Sequence, residues 1–222
     1  MKRCLMVLSL MCLMLTALAF PVRAESTATK IDTFCTIDAE GNCLVNMTVT
    51  LRLEGSNDSL TFPLPRNATG ITLNKASVRT QKTDSAVEVD ISRVVSGLTG
   101  EFSMQFDYAI PKIVKVYEDE TLKEKLTEEK KLILELPLLC GFSFPVERLA
   151  YTINLPGAIT EPPRFSSVYR KESIESIMPF TVSGNMIIGE STAQLNDHEG
   201  VTMTMIVPEQ MFPNVSTGRR CP

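Results

Sequence analysis

The stretch "FCTIDAEGNCLVNMTVTLRL", residues 34–53, decides the fold. Its second half alternates Val45, Met47, Val49, Leu51 and Leu53 with Asn46, Thr48, Thr50 and Arg52. A period of two describes a strand with one buried and one wet face. "KIDTFCTID" before it is the partner strand, and "AEGN" between them is a turn, so the segment is a β-hairpin. Two registers are open. A turn centred on Ala39 sets Cys35 directly opposite Cys43, at a separation a disulfide can close. A type I turn with Gly41 in the left-handed bulge position pairs Asp38 with Asn42 and sets Cys35 opposite Val45. The expected bond is Cys35–Cys43, against free thiols or pairings with Cys140 or Cys221. Closing so short a loop would stabilise by no more than about 2 to 3 kcal/mol.

The same short alternating runs recur outward from this hairpin. "SLTFPLPRNATG", "ITLNKASVRT", "AVEVDIS" and "GEFSMQFDYAIP" follow it, the last with Phe102, Met104, Phe106 and Tyr108 on one face. "VERLAYTINLP", "FSSVYRKESIESI", "PFTVSGNMIIGEST" and "VTMTMIVP" fill the second half. Gly, Pro, Asn and Asp punctuate them at sandwich spacing. The two halves rhyme, each holding an apolar strand closed by proline, a loop, and a last strand that begins at a Gly turn and ends at Pro. The expected fold is all-β, with two tandem immunoglobulin-like sandwiches at 25–112 and 132–213, or else one larger sandwich. Residues 113–131 are read as a charged connector or hairpin excursion, with Leu122 and Leu126 too sparse for a docking helix. Residues 214–222 are read as a tail.

The amino end supplies an address. "MKR", the apolar run from Cys4 to Phe20 and the small residues Val22 and Ala24 form a secretory signal, with cleavage expected after Ala24. An uncleaved anchor is the alternative, because the run approaches the roughly 20 residues that span a bilayer. Cleavage removes Lys2, Arg3 and Arg23 from 22 basic residues and leaves 19 against 26 acidic ones, a net charge near −7. Such a chain makes a poor partner for nucleic acid or anionic lipid. No later run is long and apolar enough to span a membrane, so the mature chain is expected to be exported and soluble.

Reactive chemistry is sparse. His198 in "LNDHEG" is the one histidine, with no nucleophile-elbow pattern near it. The four mature cysteines, 35, 43, 140 and 221, lack zinc-site spacing, and "YEDE" and "NDHE" lack the form of a calcium loop. No cofactor is expected. A chain with no Trp and 4 Tyr offers few stacking platforms for sugars. Carboxylates at Glu118, Asp119, Asp197 and Glu199 keep a secreted hydrolase as the alternative to a non-enzymatic module. Asn46, Asn57, Asn67 and Asn214 head Asn-x-Ser/Thr sequons, which are ordinary polar positions in a bacterial host.

"GEFSMQFDYAI", "FPVERLAYTINLPG" with Ile153, Leu155 and Pro156, "LNDHEGVTMTMIVPEQMF" from Leu195 to Phe212, and the earlier "LTFPLPR" carry a resemblance. Over roughly residues 30–213 the chain resembles the extracellular amino-terminal region of bacterial predicted membrane proteins known as domain of unknown function 2207. The resemblance implies a β-rich domain displayed outside the cytoplasmic membrane and usually followed by transmembrane helices. This sequence stops at Pro222 without one, as a free secreted version or as the sensor or stalk part of a longer membrane protein would. The family brings no catalytic residues. The function expected is a cell-envelope binding or structural module whose partner is an unknown protein or other envelope component.

Overall fold

The structure, a computed structural model, describes residues 26–54, 60–116, 132–167, 170 and 174–216. The segment expected to be a signal, Asn57, the charged run with Glu118 and Asp119, and Cys221 lie outside these residues. Among the described residues fifteen strands form three sheets, and the all-β class holds.

The opening hairpin is β1 (Thr27–Ile37) and β2 (Cys43–Leu53). Its turn follows the Gly41 register. Asp38 N–H donates to the Asn42 carbonyl at 2.9 Å, and Gly41 N–H to the Asp38 carbonyl at 3.1 Å. The Asp38 carboxylate accepts from the backbone N–H groups of Glu40 and Asn42 at 3.0 and 2.8 Å. Gly41 has φ +76°, a conformation that costs a residue with a Cβ and costs glycine nothing. Ile37 therefore faces Cys43, and Cys35 faces Val45. The directly opposed Cys35/Cys43 geometry is corrected by one turn's hydrogen bonds.

The large sheet runs β13 (Phe180–Ser183), β14 (Met186–Glu190), β11 (Leu149–Asn154), β1, β2, β8 (Gly100–Ile110), β4 (Thr69–Leu73), β5 (Ala76–Ser77). Four strands make the second: β12 (Arg164–Ser167), β15 (Gly200–Val207), β10 (Leu132–Cys140), β9 (Val114–Val116). Three make the third: β3 (Thr61–Pro65), β7 (Ala86–Asp90), β6 (Thr80–Lys82). β1 lies parallel to β11, from Ile31 opposite Leu149 to Thr36 opposite Asn154. A division into two sandwiches at 25–112 and 132–213 therefore cuts through one sheet. β9, at the start of the stretch read as a charged connector over 113–131, pairs into the second sheet.

One core fills the space between the layers. Its middle row on the large sheet reads Gly189, Tyr151, Thr33, Met47, Phe106, Leu73. Phe62 of β3 stacks on Phe106 at 4.8 Å between ring centres, and Phe165 of β12 sits 5.3 Å from Tyr151. Each small sheet thus covers one part of the same inner face. Fully burying a side chain of this size contributes roughly 1.5 to 3 kcal/mol.

Two features of the row generate tests. The Tyr151 ring crosses Gly189 so that its hydroxyl donates to the Met178 and Pro179 carbonyls at 3.3 and 3.2 Å. A Cβ on Gly189 would overlap that hydroxyl and stand 2.5 Å from the Pro179 oxygen. Gly189→Ala is expected to destabilise by about 2 kcal/mol or more in urea unfolding. The Thr33 hydroxyl is buried with no hydrogen-bond partner. Thr33→Val, which keeps the shape and removes the orphan, is expected to stabilise by about 1 kcal/mol, read as a rise in the urea midpoint at unchanged slope.

Candidate functional site

The outer face of the large sheet is set by the opposite parity of the same strands. One row there runs Ile188, Thr152, Phe34, Asn46, Asp107, Thr72, and the next Met186, Asn154, Thr36, Leu44, Ala109, Thr69. Most of these residues are polar. Phe34 is 49 %, Leu44 64 % and Ile188 42 % exposed, so large apolar groups stand in water on a mostly polar field. Two shallow depressions flank Phe34. One, of about 510 Å³, is walled by Thr36, Leu44, Thr69 and Ala109. The other, of about 540 Å³, is walled by Lys30, Asp32, Ala150, Thr152, Ile188 and Glu190.

Charges around this face are mostly paired. Lys30 meets Asp32 at 2.7 Å, Arg148 meets Glu190, and Arg52 meets Glu147 at 3.5 Å. Asn46 donates its side-chain N–H to Asp107 at 2.5 Å, and Gln105 reaches the same oxygen at 3.4 Å. Exposed pairs of this kind contribute roughly 0 to 1 kcal/mol each. They orient side chains and neutralise one another, which leaves Phe34, Leu44 and Ile188 as the large unpartnered groups on this face.

The residues considered for chemistry do not assemble here. His198 is exposed at φ +57°, its N–H donating to the Phe142 carbonyl at 2.7 Å. Asp197 is exposed beside it. Glu199 is fully covered. Arg170 donates to it through Nε at 2.6 Å and Nη2 at 3.1 Å, and Asn196 through its backbone N–H at 2.9 Å and Nδ2 at 3.2 Å. Burial pushes the Glu199 carboxyl up, but the bonds from Arg170 and Asn196 outweigh it and hold the group below its ordinary value. It is a tie between the loop before β15 and Arg170. Among the described residues, no three His, Cys, Asp or Glu are grouped to hold a metal ion, and no helix is long and apolar enough to cross a membrane.

Cys35 and Cys43 are buried on the inner face as free thiols. Cys140 is also free, its thiol pushed up to about 12 by burial and then by Glu88. Of the sequons, Asn46 is half-buried in its bond to Asp107, Asn67 is exposed and donates to the Pro111 carbonyl at 3.0 Å, and Asn214 donates to Glu40 at 3.1 Å. Sequence reasoning passed over Phe34 and Leu44. The available signal was their parity, since each occupies an outward position beside Asp32, Thr36 and Asn46.

No family model and no curated protein matches the chain. Solved structures similar to it include native yeast LTA4 hydrolase, at 11 % identity and TM-score 0.49, covering 81 % of this chain and 29 % of that one. The M1 zinc metallopeptidase from Deinococcus radiodurans is similar at 12 % identity and TM-score 0.36, covering 81 % of this chain and 42 % of that one. The chain spans less than half the length of either.

The Glu199 tie predicts a pH dependence. A carboxyl held low in the folded state contributes its full stability above the unfolded value, about 4.3, and loses it as the pH falls through the folded value. Glu199→Gln keeps the shape and removes the charge. It is expected to cost about 1 to 3 kcal/mol at pH 7, because Arg170 loses a charged partner. Below about pH 4.3 the difference from wild type is expected to shrink, as measured by urea unfolding across pH 7 to 3.

Proposed function

We propose that the chain is a non-enzymatic, exported β-sandwich module of the cell envelope, and that it works by presenting the outer face of its large sheet to a partner protein. The observation that carries this reading is the exposure of Phe34 and Leu44 on the neighbouring strands β1 and β2, with Ile188 on β14 beyond β11 on the same face. Single apolar residues on a surface need no explanation, but a group of them rimmed by polar side chains marks a place where water is to be displaced. The sheet is a rigid platform, so little ordering entropy opposes docking there.

Strand addition at a sheet edge is the less suitable mode. The large sheet ends in β5, two residues long, and β13, four residues long. Short edges give an incoming strand few backbone groups to pair with. The face, with side chains from strands up to eleven residues long, offers more.

The test replaces both central apolar groups, as Phe34→Ser with Leu44→Ser, and checks that circular dichroism and the thermal midpoint stay close to wild type. Wild-type protein immobilised in envelope extract is expected to retain a protein that the double variant binds at least tenfold more weakly, a difference of about 1.4 kcal/mol. Equal retention by both would remove this face as the binding site.

A further inference from the structure

We propose that the partner of the outer face of the large sheet is a second copy of this chain, packed face to face about a two-fold axis that lies along β2. The assignment rests on the reading of that face as a binding surface and names what covers it. The face carries both halves of one contact. Phe34 on β1 and Leu44 on β2 stand out from it, and the depression of about 510 Å³ reaches across β2 to Ala109 on β8 and Thr69 on β4. β1 and β8 are the two neighbours of β2, so rotation about an axis along β2 lays the β1 of one copy over the β8 of the other. Leu44, on the axis, meets its own counterpart. Phe34 enters the second copy's depression beside Ala109, and the symmetry repeats the contact, so each copy gives a ring and receives one. Sheets packed face to face stand about 10 Å apart with their strands within about 30° of each other, which leaves room for side chains from both.

Electrostatics fit this arrangement. The chain has 26 acidic against 22 basic residues, so two copies can meet only where charges are few or matched. About an axis along β2 no carboxylate faces a carboxylate. Asp32 and Lys30 of β1 lie in the rows of Gln105 and Ser103 on β8, so each charged group faces a neutral hydrogen-bonding one. Asn46, Thr48 and Thr50 face their own counterparts. Asp107 lies beneath the incoming ring, its carboxylate already held by Asn46 and Gln105. Arg52, at the far end of β2, is paired with Glu147, which offsets the meeting of like charges there. The other depression is the poorer seat for a ring, because Lys30, Asp32 and Glu190 would lose water around it together.

The area suffices. β1, β2 and β8 are 11 residues long each, and β11 and β4 flank them. At about 4.8 Å of width per strand and 3.4 Å of length per residue these five present roughly 700 Å² per copy, near the ~800 Å² that each partner gives to a standard interface.

The test uses the full chain purified from an exporting host. Sedimentation velocity over a concentration series into the high micromolar range is expected to show monomer and dimer in equilibrium. Phe34→Ser with Leu44→Ser is expected to weaken the dimer at least tenfold while circular dichroism stays unchanged. Cross-linking reads the axis: in a chain with Cys140→Ser and Cys221→Ser, Leu44→Cys is expected to give a covalent dimer on mild oxidation, and Ile188→Cys, three strands from the axis, is not. A dimer that the double variant leaves intact, or one in which Leu44→Cys gives no cross-link, overturns the proposal. So does a wild type that stays monomeric throughout. If that monomer still retains an envelope protein that the double variant loses, the face keeps its role with another partner; if both retain it equally, the face reading fails too.

Discussion

The parallel ladder between Ile31–Thr36 and Leu149–Asn154 is the constraint on which the remaining architecture depends. β1 is paired on both sides, with β2 on one and β11 on the other. Without this ladder the large sheet falls into β13-β14-β11 and β1-β2-β8-β4-β5, and neither small sheet has a complete surface to cover. The contact spans 118 positions of chain where Thr27 donates to the Pro145 carbonyl. Closing a loop of that size costs about 4 kcal/mol of chain entropy beyond a constant. Burial of Ile31, Leu149, Tyr151 and Ile153 along the same ladder offsets that cost, because these side chains reach water only if the ladder opens. Long-range pairing of this kind must pay its loop-closure entropy before the contacts reward it, which is what makes such topologies slow to fold in general.

Local elements were readable from residues alone, and the meeting of distant ones was not. Val45 to Leu53 declared a half-buried strand, and Asp38, Gly41 and Asn42 held both candidate turn registers. What settled the register was a set of side-chain bonds from Asp38, which pattern alone leaves tied with a symmetrical turn. A period of two tells which face of a strand is dry, but it does not tell which strand lies alongside. "LAYTIN" pairs with β1 as readily, by pattern, as with its own neighbours. Glu199 looked like a surface acid in an acidic loop because the approach of Arg170 is a tertiary event. Phe34 and Leu44 could have been read as exposed from parity, and were passed over because the hairpin was read for its dry side.

The inner row of the large sheet has polar atoms where an apolar core has none, and the backbone has adapted to only some of them. Tyr151 needs a partner for its hydroxyl, and it finds two carbonyls by lying across a position that has no Cβ. Gly189 is therefore a packing choice, in which a strand gives up β-propensity so that a ring can satisfy its oxygen. Thr33, beside Tyr151 in the same row, has no such arrangement. Its hydroxyl is a cost that the chain carries at the centre of its most constrained strand. The β-branched shape suits the site, and the oxygen does not.

Both sides of the opening hairpin follow from one alternation, and this couples them physically. Odd positions 35, 43 and 45 face the closed core, while even positions 34, 44 and 46 face water. A strand cannot shift one set without shifting the other, since a slip of one residue exchanges the faces. Packing that holds the inner side therefore also sets the spacing of Phe34 and Leu44 on the outer side. A partner that recognised that spacing would bind a surface whose geometry is decided in the dry interior, one peptide unit away.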